Sequence, residues 1–225
     1  MRVLIWNLFH GRSRPGAGRS LVNEFAAAIA SWDWDVALLQ EVPPWWPVVL
    51  GHAAGAEHHS VLTSRNFGLP VRRAIACRNP DVLKAQGGGA NTILVRPPLR
   101  AFEHRSARLT LRPERRYAHG IRLHDGWVVN LHASVRPLHQ IPRDIDRAGA
   151  AARRWARAQS VLLGGDFNSK LPVVPDFQHL GGRWVDHLLG RGFEAAGPIA
   201  VLEAGSLSDH KPVLVDVASP QSALA

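Results

Sequence analysis

A short, almost wholly apolar run that stops on a polar side chain recurs along this chain, and that repetition constrains the fold more than any other feature. Arg2–Asn7 carries Val3, Leu4, Ile5 and Trp6 and ends at Asn7. Asp35–Glu41 ends at Glu41, Trp127–His132 at His132, and Val161–Asp166 passes through Gly164-Gly165 to Asp166-Phe167-Asn168. Val185–Leu189 carries Asp186 near one end, and Lys211–Val217 begins just after Ser208-Asp209-His210. Runs this short and this uniformly apolar read as strands buried on both faces, which requires layers above and below the sheet. Clustered strand ends are where sheet proteins build sites, because the scaffold holds those side chains rigidly.

Two helical patterns accompany the strands. Leu21, Val22, Phe25, Ile29 and Trp32 recur at helical spacing, and residues 138–158 have helical composition, with Arg147, Arg153, Arg154 and Arg157 around Trp155. Strands interleaved with helices are compatible with an α/β fold, and a chain of this size also suits an all-β unit. The middle of the chain is less regular. Residues 51–60, with His52, His58 and His59 among Gly and Ala, read as a loop. Short strands are expected near 60–64, 71–77 and 91–96, around Gly87-Gly88-Gly89. With 225 residues and no dividing linker, one domain over 1–218 is expected, followed by a frayed tail at 219–225.

Composition excludes several classes. The single cysteine, Cys77, forbids an internal disulfide and a multi-cysteine zinc cluster. No window holds eighteen consecutive apolar residues and the N-terminus lacks a long apolar leader, so a cytoplasmic protein without stable membrane association is expected. The formal charge of +9 rests on 24 arginines and only Lys84, Lys170 and Lys211. Arginine suits bidentate recognition of phosphate, so a polyanionic partner fits; an arginine-biased composition on a solvated surface fits equally.

On an extended backbone Asp166 and Asn168 face one side, which suits a phosphate and a hydrated cation; an Asx turn is the plainer reading. A strand-end Glu is ordinarily a solvated cap, and a lone His the partner of some carbonyl. The sum of six such ends shifts the balance toward a shared site.

Trp6-Asn7, Leu39-Gln40-Glu41, Asn130-Leu131-His132, Gly165-Asp166-Phe167-Asn168, Val185-Asp186-His187 and Ser208-Asp209-His210-Lys211-Pro212-Val213 resemble the successive motifs of the endonuclease/exonuclease/phosphatase superfamily, in that family's order. The resemblance implies a four-layer α/β/β/α sandwich, two mixed β-sheets flanked by helices as in DNase I-like proteins. It also implies metal-dependent cleavage of a phosphoester. Carried over by position, Glu41, Asn7 and Asp209 match metal-binding residues, with Mg²⁺ the expected ion and Mn²⁺ a substitute. Asp166 and Asn168 match the pair that positions the nucleophile, His210 the catalytic histidine, Asp186 its carboxylate partner and His132 a phosphate-contacting residue. Glu41 with Asn7 is a sparse all-oxygen set of the kind Mg²⁺ takes. His210, backed by Asp186, is expected to accept the proton of the attacking water, with Asp166 as base and His210 on the phosphate the alternative.

The substrate is less constrained. Glu41 is followed by Val-Pro-Pro-Trp-Trp and Asn7 by Leu-Phe-His-Gly-Arg, unlike the family's apurinic endonucleases. Basic loops at 96–122 and 143–157 favour nucleic acid, DNA first, with Trp45, Trp46 and Trp155 as candidate stacking residues; Trp45-Trp46 covering the core and arginines turned to water are the plainer readings. Arg12, Asn91, Arg108 and Arg136 are the candidate substrate-binding side chains. A lipid, inositol or other small phosphoester is the alternative, and a non-catalytic nucleic-acid-binding member is the alternative of a different class. A monomer is expected.

Overall fold

The computed structural model describes residues 1–64 and 66–219. The expected frayed tail therefore lies, apart from Ser219, outside the described residues. In chain order the strands are β1 (Arg2–Asn7), β2 (Val36–Val42), β3 (Glu57–Leu62), β4 (Ala90–Val95), β5 (Glu103–Thr110), β6 (Arg116–Leu123), β7 (Gly126–His132), β8 (Val161–Asp166), β9 (Gln178–Arg183), β10 (Asp186–Arg191), β11 (Glu194–Ala195), β12 (Ala200–Val201) and β13 (Val213–Ala218). The helices are α1 (Val22–Ser31), α2 (Pro47–Ala54), α3 (Leu69–Arg78), α4 (Pro80–Leu83) and α5 (Gln140–Ala156).

Two sheets form. The first runs β11-β13-β1-β2-β4-β3, with β12 also paired to β13, and the second runs β5-β6-β7-β8-β10-β9. Each is mixed: β1 is parallel to β2, and β7 to β8, while their other neighbours are antiparallel. Val3, Ile5, Val36, Leu38, Val128, Leu162, Leu188 and Val213 form one apolar core between the sheets. Trp6, Phe25, Trp46 and Leu50 join the first sheet to α1 and α2, and Trp127, Val129, Leu163 and Trp155 join the second to α5. The four layers are thus helix, sheet, sheet, helix. Their central strands carry apolar residues on both faces because both faces are covered.

Several sequence expectations change. Residues 51–60 are not a loop: α2 carries His52, and β3 carries His58 and His59 as an edge strand. The stretch 71–77 is helix α3, entered through Pro70 in its first turn, where a missing N–H costs nothing. The basic segment 96–122 is largely the β5–β6 hairpin. Four of its arginines are already engaged: Arg96 on carbonyls at the end of α1, Arg105 and Arg122 on Glu103, and Arg116 on Glu114. Trp46 and Trp155 are 3% and 6% exposed, packed near Phe25 and Trp127, so neither can stack a base. Trp45 packs partly buried against the same core as Trp46.

Candidate active site

Strand direction brings the polar ends to one edge of the sandwich. In the second sheet His132 of β7 registers with Asp166 of β8, and Asp186 at the start of antiparallel β10 registers with the same Asp166. In the first sheet Asn7 ends β1 next to Gln40 of β2, and β13 enters antiparallel beside Ile5, so the preceding Ser208-Asp209-His210 lies at that edge too. Asn7, Phe9, His10, Arg12, Glu41, His132, Asp166, Asn168, Asp209 and His210 line a single cleft of about 250 Å³.

The two sheets are locked together beneath it. Gln40 donates from Nε2 to Asn130 Oδ1 at 2.8 Å, and Asn130 Nδ2 donates to the Leu39 and Thr92 carbonyls at 3.0 Å each. Asn7 Nδ2 crosses to Asp166 Oδ2 at 3.0 Å. Gly165 makes the approach possible. Its φ is 128°, and a Cβ there would lie 2.1 Å from the Leu131 carbonyl and 3.1 Å from Gln40 Nε2.

Local backbone irregularity aims the side chains. In the β2–β4 ladder Leu39 pairs Thr92 and Val42 pairs Ala90, so Gln40 and Glu41 together oppose Asn91 as a bulge. Glu41 takes φ 51°, which turns its carboxylate toward the cleft and away from the alternation of the strand. Phe9, His10 and Gly11 are successively left-handed (φ 48°, 55° and 74°), and Asn168 and Ser208 are left-handed as well. Such conformations cost about 1–3 kcal/mol each and persist where surroundings impose them. At Gly11 a Cβ would meet the Trp46 ring at 2.4 Å, so only glycine closes this turn over the core. Ser208 Oγ donates to the Asn7 carbonyl at 2.6 Å and accepts from His210 N, while Trp6 Nε1 donates to the His210 carbonyl. That seats the Ser-Asp-His segment.

Four protonation and charge relations follow. His210 Nδ1 sits 2.7 Å from Asp186 Oδ2, and its Nε2 faces Asp166 Oδ2 at 3.9 Å. Burial disfavours its charge, but the bond and field of Asp186, aided by Asp166 and Asp209, outweigh this and raise its pKa to about 9. Asp166 is pushed up to about 7 by burial and by Asp186, against the pull of His210, Asn7 and the Asn168 N–H. Arg116 donates from Nη1 to His132 Nδ1 at 2.9 Å; since guanidinium has no acceptor, His132 keeps its proton on Nε2. Burial, with the charge of Arg116, holds His132 well below the usual imidazole range, so a neutral Nε2–H donor faces Asp166 Oδ2 at 3.6 Å.

The sequence candidates separate accordingly. Asn7, Glu41, His132, Asp166, Asn168, Asp209 and His210 share the cleft, with Asp186 behind His210. Asp209 is ion-paired with Arg14 at 2.9 Å. Arg12 lines the cleft, its guanidinium 3.7 Å above the Phe9 ring. Asn91 is buried opposite the bulge and donates to the Tyr117 carbonyl; Arg108 lies on β5 and Arg136 follows Val135, and none of these three lines the cleft. Sequence reading passed over His10, Arg116 and Trp184. His10 Nε2 is 3.1 Å from Glu41 Oε2 and shares the cleft with it. Trp184 is 58% exposed beside the His210 ring. The Gly-rich stretch gave a clue to His10, since Gly88 is the residue whose carbonyl meets its Nδ1.

Oxygen donors converge here from both sheets, which is the donor chemistry a divalent cation takes. Asp166, Asp186 and His210 also bring ligand atoms within 4.8 Å of one another, although His210 Nδ1 is committed to Asp186. Two mixed sheets packed face to face, with carboxylates and imidazoles gathered at one edge, make up a DNase I-like α/β sandwich. The chain belongs to the endonuclease/exonuclease/phosphatase family, whose model matches residues 4–210. Members of that family are generally phosphoester hydrolases that use divalent metals.

Solved structures agree in fold. A conserved protein of unknown function from Enterococcus faecalis superposes with a TM-score of 0.71 at 16% identity, over 97% of this chain and 100% of that one. The mannosyl-6-phosphatase Bt3783 of Bacteroides thetaiotaomicron gives 0.70 at 15% identity, over 97% and 99%. TDP2 of Caenorhabditis elegans gives 0.68 at 14% identity, over 96% of this chain and 73% of that one. No curated protein sequence matches the chain. Among the described residues, no helix is long and apolar enough to cross a membrane.

Proposed function

We propose that this protein is a divalent-metal-dependent hydrolase of phosphodiester bonds, acting on nucleic acid and on DNA first, as a single catalytic unit over residues 1–218. The observation that carries the reading is the meeting of Asn7, Glu41, Asp166 and His210, far apart in sequence and drawn from both sheets, in one cleft. A bound Mg²⁺ or Mn²⁺ at Glu41 and Asn7 would neutralise charge on the phosphoryl and leaving oxygens. His210, charged at neutral pH, presents Nε2–H to a phosphoryl oxygen, and His132 offers a second, neutral Nε2–H. Asp166, held by Asn7 and the Asn168 N–H and pushed up to about 7, is the better proton acceptor for the attacking water. The sequence favoured His210 as the base with Asp166 as the alternative; the alternative fits better a His210 that already carries its proton. Asn168 is fixed from Nδ2 to the Ala133 carbonyl and closes the far wall.

The charge of +9 and Arg12 at the cleft support a polyanion. A second reading, a small phosphoester, is favoured by the burial of Trp46 and Trp155 and by the arginines already spent on Glu103 and Glu114. The test is plasmid nicking with Mg²⁺ or Mn²⁺, with EDTA, and with Glu41→Ala and His210→Ala, beside a bis-aryl phosphodiester and a sugar phosphate. Nicking abolished by EDTA and both substitutions supports the nuclease. Cleavage of only the small esters overturns the DNA assignment; nucleic-acid binding with no turnover of anything overturns catalysis.

A further inference from the structure

Both ring nitrogens of His10 face oxygen acceptors. Nδ1 is 3.1 Å from the Gly88 carbonyl and Nε2 is 3.1 Å from Glu41 Oε2. A neutral imidazole has one N–H, a carbonyl only accepts, and an ionised carboxylate only accepts. One of the two contacts therefore needs a further positive charge between its atoms, either a proton or a metal cation. The surroundings favour a cation. Glu41, Asp166 and Asp209 line the same cleft against Arg12 and the charged His210, with Arg14 paired to Asp209, so carboxylates still outnumber the cations that line it, and the nearby His132 is neutral. A nitrogen-ligating histidine usually donates its other N–H to a backbone carbonyl or carboxylate, which fixes tautomer and ring orientation. Gly88 provides that carbonyl, and the loop carrying it is pinned where Asn66 bonds both N and O of Gly89. The three left-handed residues Phe9–Gly11 hold the ring over Glu41, although such backbone is costly for Phe and His.

We infer that His10 Nε2 joins Glu41 as a ligand of the catalytic cation, making a mixed nitrogen–oxygen centre that prefers Mn²⁺ or a similar first-row ion to Mg²⁺. The inference rests on the metal-dependent reading above. Imidazole suits first-row transition ions, whereas Mg²⁺ keeps to oxygen and water. The partner carbonyl of Gly88 acts as a positioning group, since it orients His10 without touching the ion.

The experiment titrates EDTA-stripped wild type, His10→Asn and His10→Gln with Mn²⁺ and with Mg²⁺ by calorimetry, and records pulsed EPR of the bound Mn²⁺. Asn accepts left-handed backbone but is too short to reach; Gln reaches but offers no ring nitrogen. Wild type is expected to bind Mn²⁺ at least about tenfold tighter than Mg²⁺ and to show directly coupled ¹⁴N. Both variants should lose about tenfold or more in Mn²⁺ affinity, keep Mg²⁺ affinity within about threefold, and lose that coupling. Unchanged Mn²⁺ affinity and ¹⁴N coupling in both variants would overturn the role of His10 while leaving the phosphoesterase reading intact. Wild type that binds neither ion would overturn both.

Discussion

Replacing Asp186 by Asn isolates the His210–Asp186 couple with little change in volume. The carboxylate lies 2.7 Å from His210 Nδ1, and the ring is 13% exposed, so solvent screens the pair weakly. Burial acts to lower the His210 pKa, yet the net value rises from 6.5 to about 9. That rise corresponds to roughly 3 kcal/mol in favour of the charged ring. With the carboxylate gone, burial remains while most of the opposing field disappears, so His210 in D186N should titrate at or below its ordinary value. Nuclear magnetic resonance of the histidine Cε1–Hε1 pairs in metal-free protein reads this directly. Stability gives a second readout. A raised value means that the contribution is complete below about 6.5 and fades as pH climbs through about 9. The stability deficit of D186N should then be largest near pH 6 and close above pH 9. It should stay below the 3 kcal/mol figure, because Asp186 itself is pushed up by burial more than His210 pulls it down. A wild-type His210 titrating near the ordinary imidazole value, or an unchanged titration in D186N, refutes the reasoning.

Gly165→Ala should cost about 3–5 kcal/mol, from unfavourable backbone and a Cβ 2.1 Å from the Leu131 carbonyl, lowering Tm by roughly 10 °C; a Tm within 3 °C of wild type would contradict the inter-sheet fit. Trp184→Ala, at an exposed ring whose centroid is 6.3 Å from that of His210, should raise KM for a single-stranded oligonucleotide about tenfold with Tm unchanged. An unmoved KM would remove Trp184 from the substrate path.

What could be read before the structure depended on which physical signal each segment carried. Strands β1, β2, β7, β8, β10 and β13 were legible because burial on both faces leaves an uninterrupted apolar run, and with them came Asn7, Glu41, His132, Asp166 and Asp186 at their ends. The four-layer arrangement came from the resemblance, and the sheets bear it out. Edge strands were harder. β3, with His58 and His59, and β5, with Glu103, His104 and Arg105, expose much of their length, so their composition matches that of loops. The stretch 71–77 contains Val71 and Ile75, which suggested a strand, but among the described residues no strand pairs with it and both residues face outward. His10 was hidden because its aim depends on backbone sign at Phe9 and His10, which residue identity barely encodes. Arg116 was one arginine among eight until β6 registered Ala118 opposite Leu131 and set its guanidinium on His132.

The Gln40–Asn130 couple has a consequence beyond its own hydrogen bonds. The cleft is split between two ladders, with Glu41 and Asn7 on one and Asp166, Asp186 and His132 on the other, so the proposed turnover would depend on how far apart and how squarely those slabs lie. Any volume change in the apolar filling between them, even at Val3 or Leu162 far below the rim, is converted into a displacement of nucleophile against electrophile. Such a protein would be expected to tolerate loop variation freely and to lose catalysis before folding when the side chains between its sheets change volume.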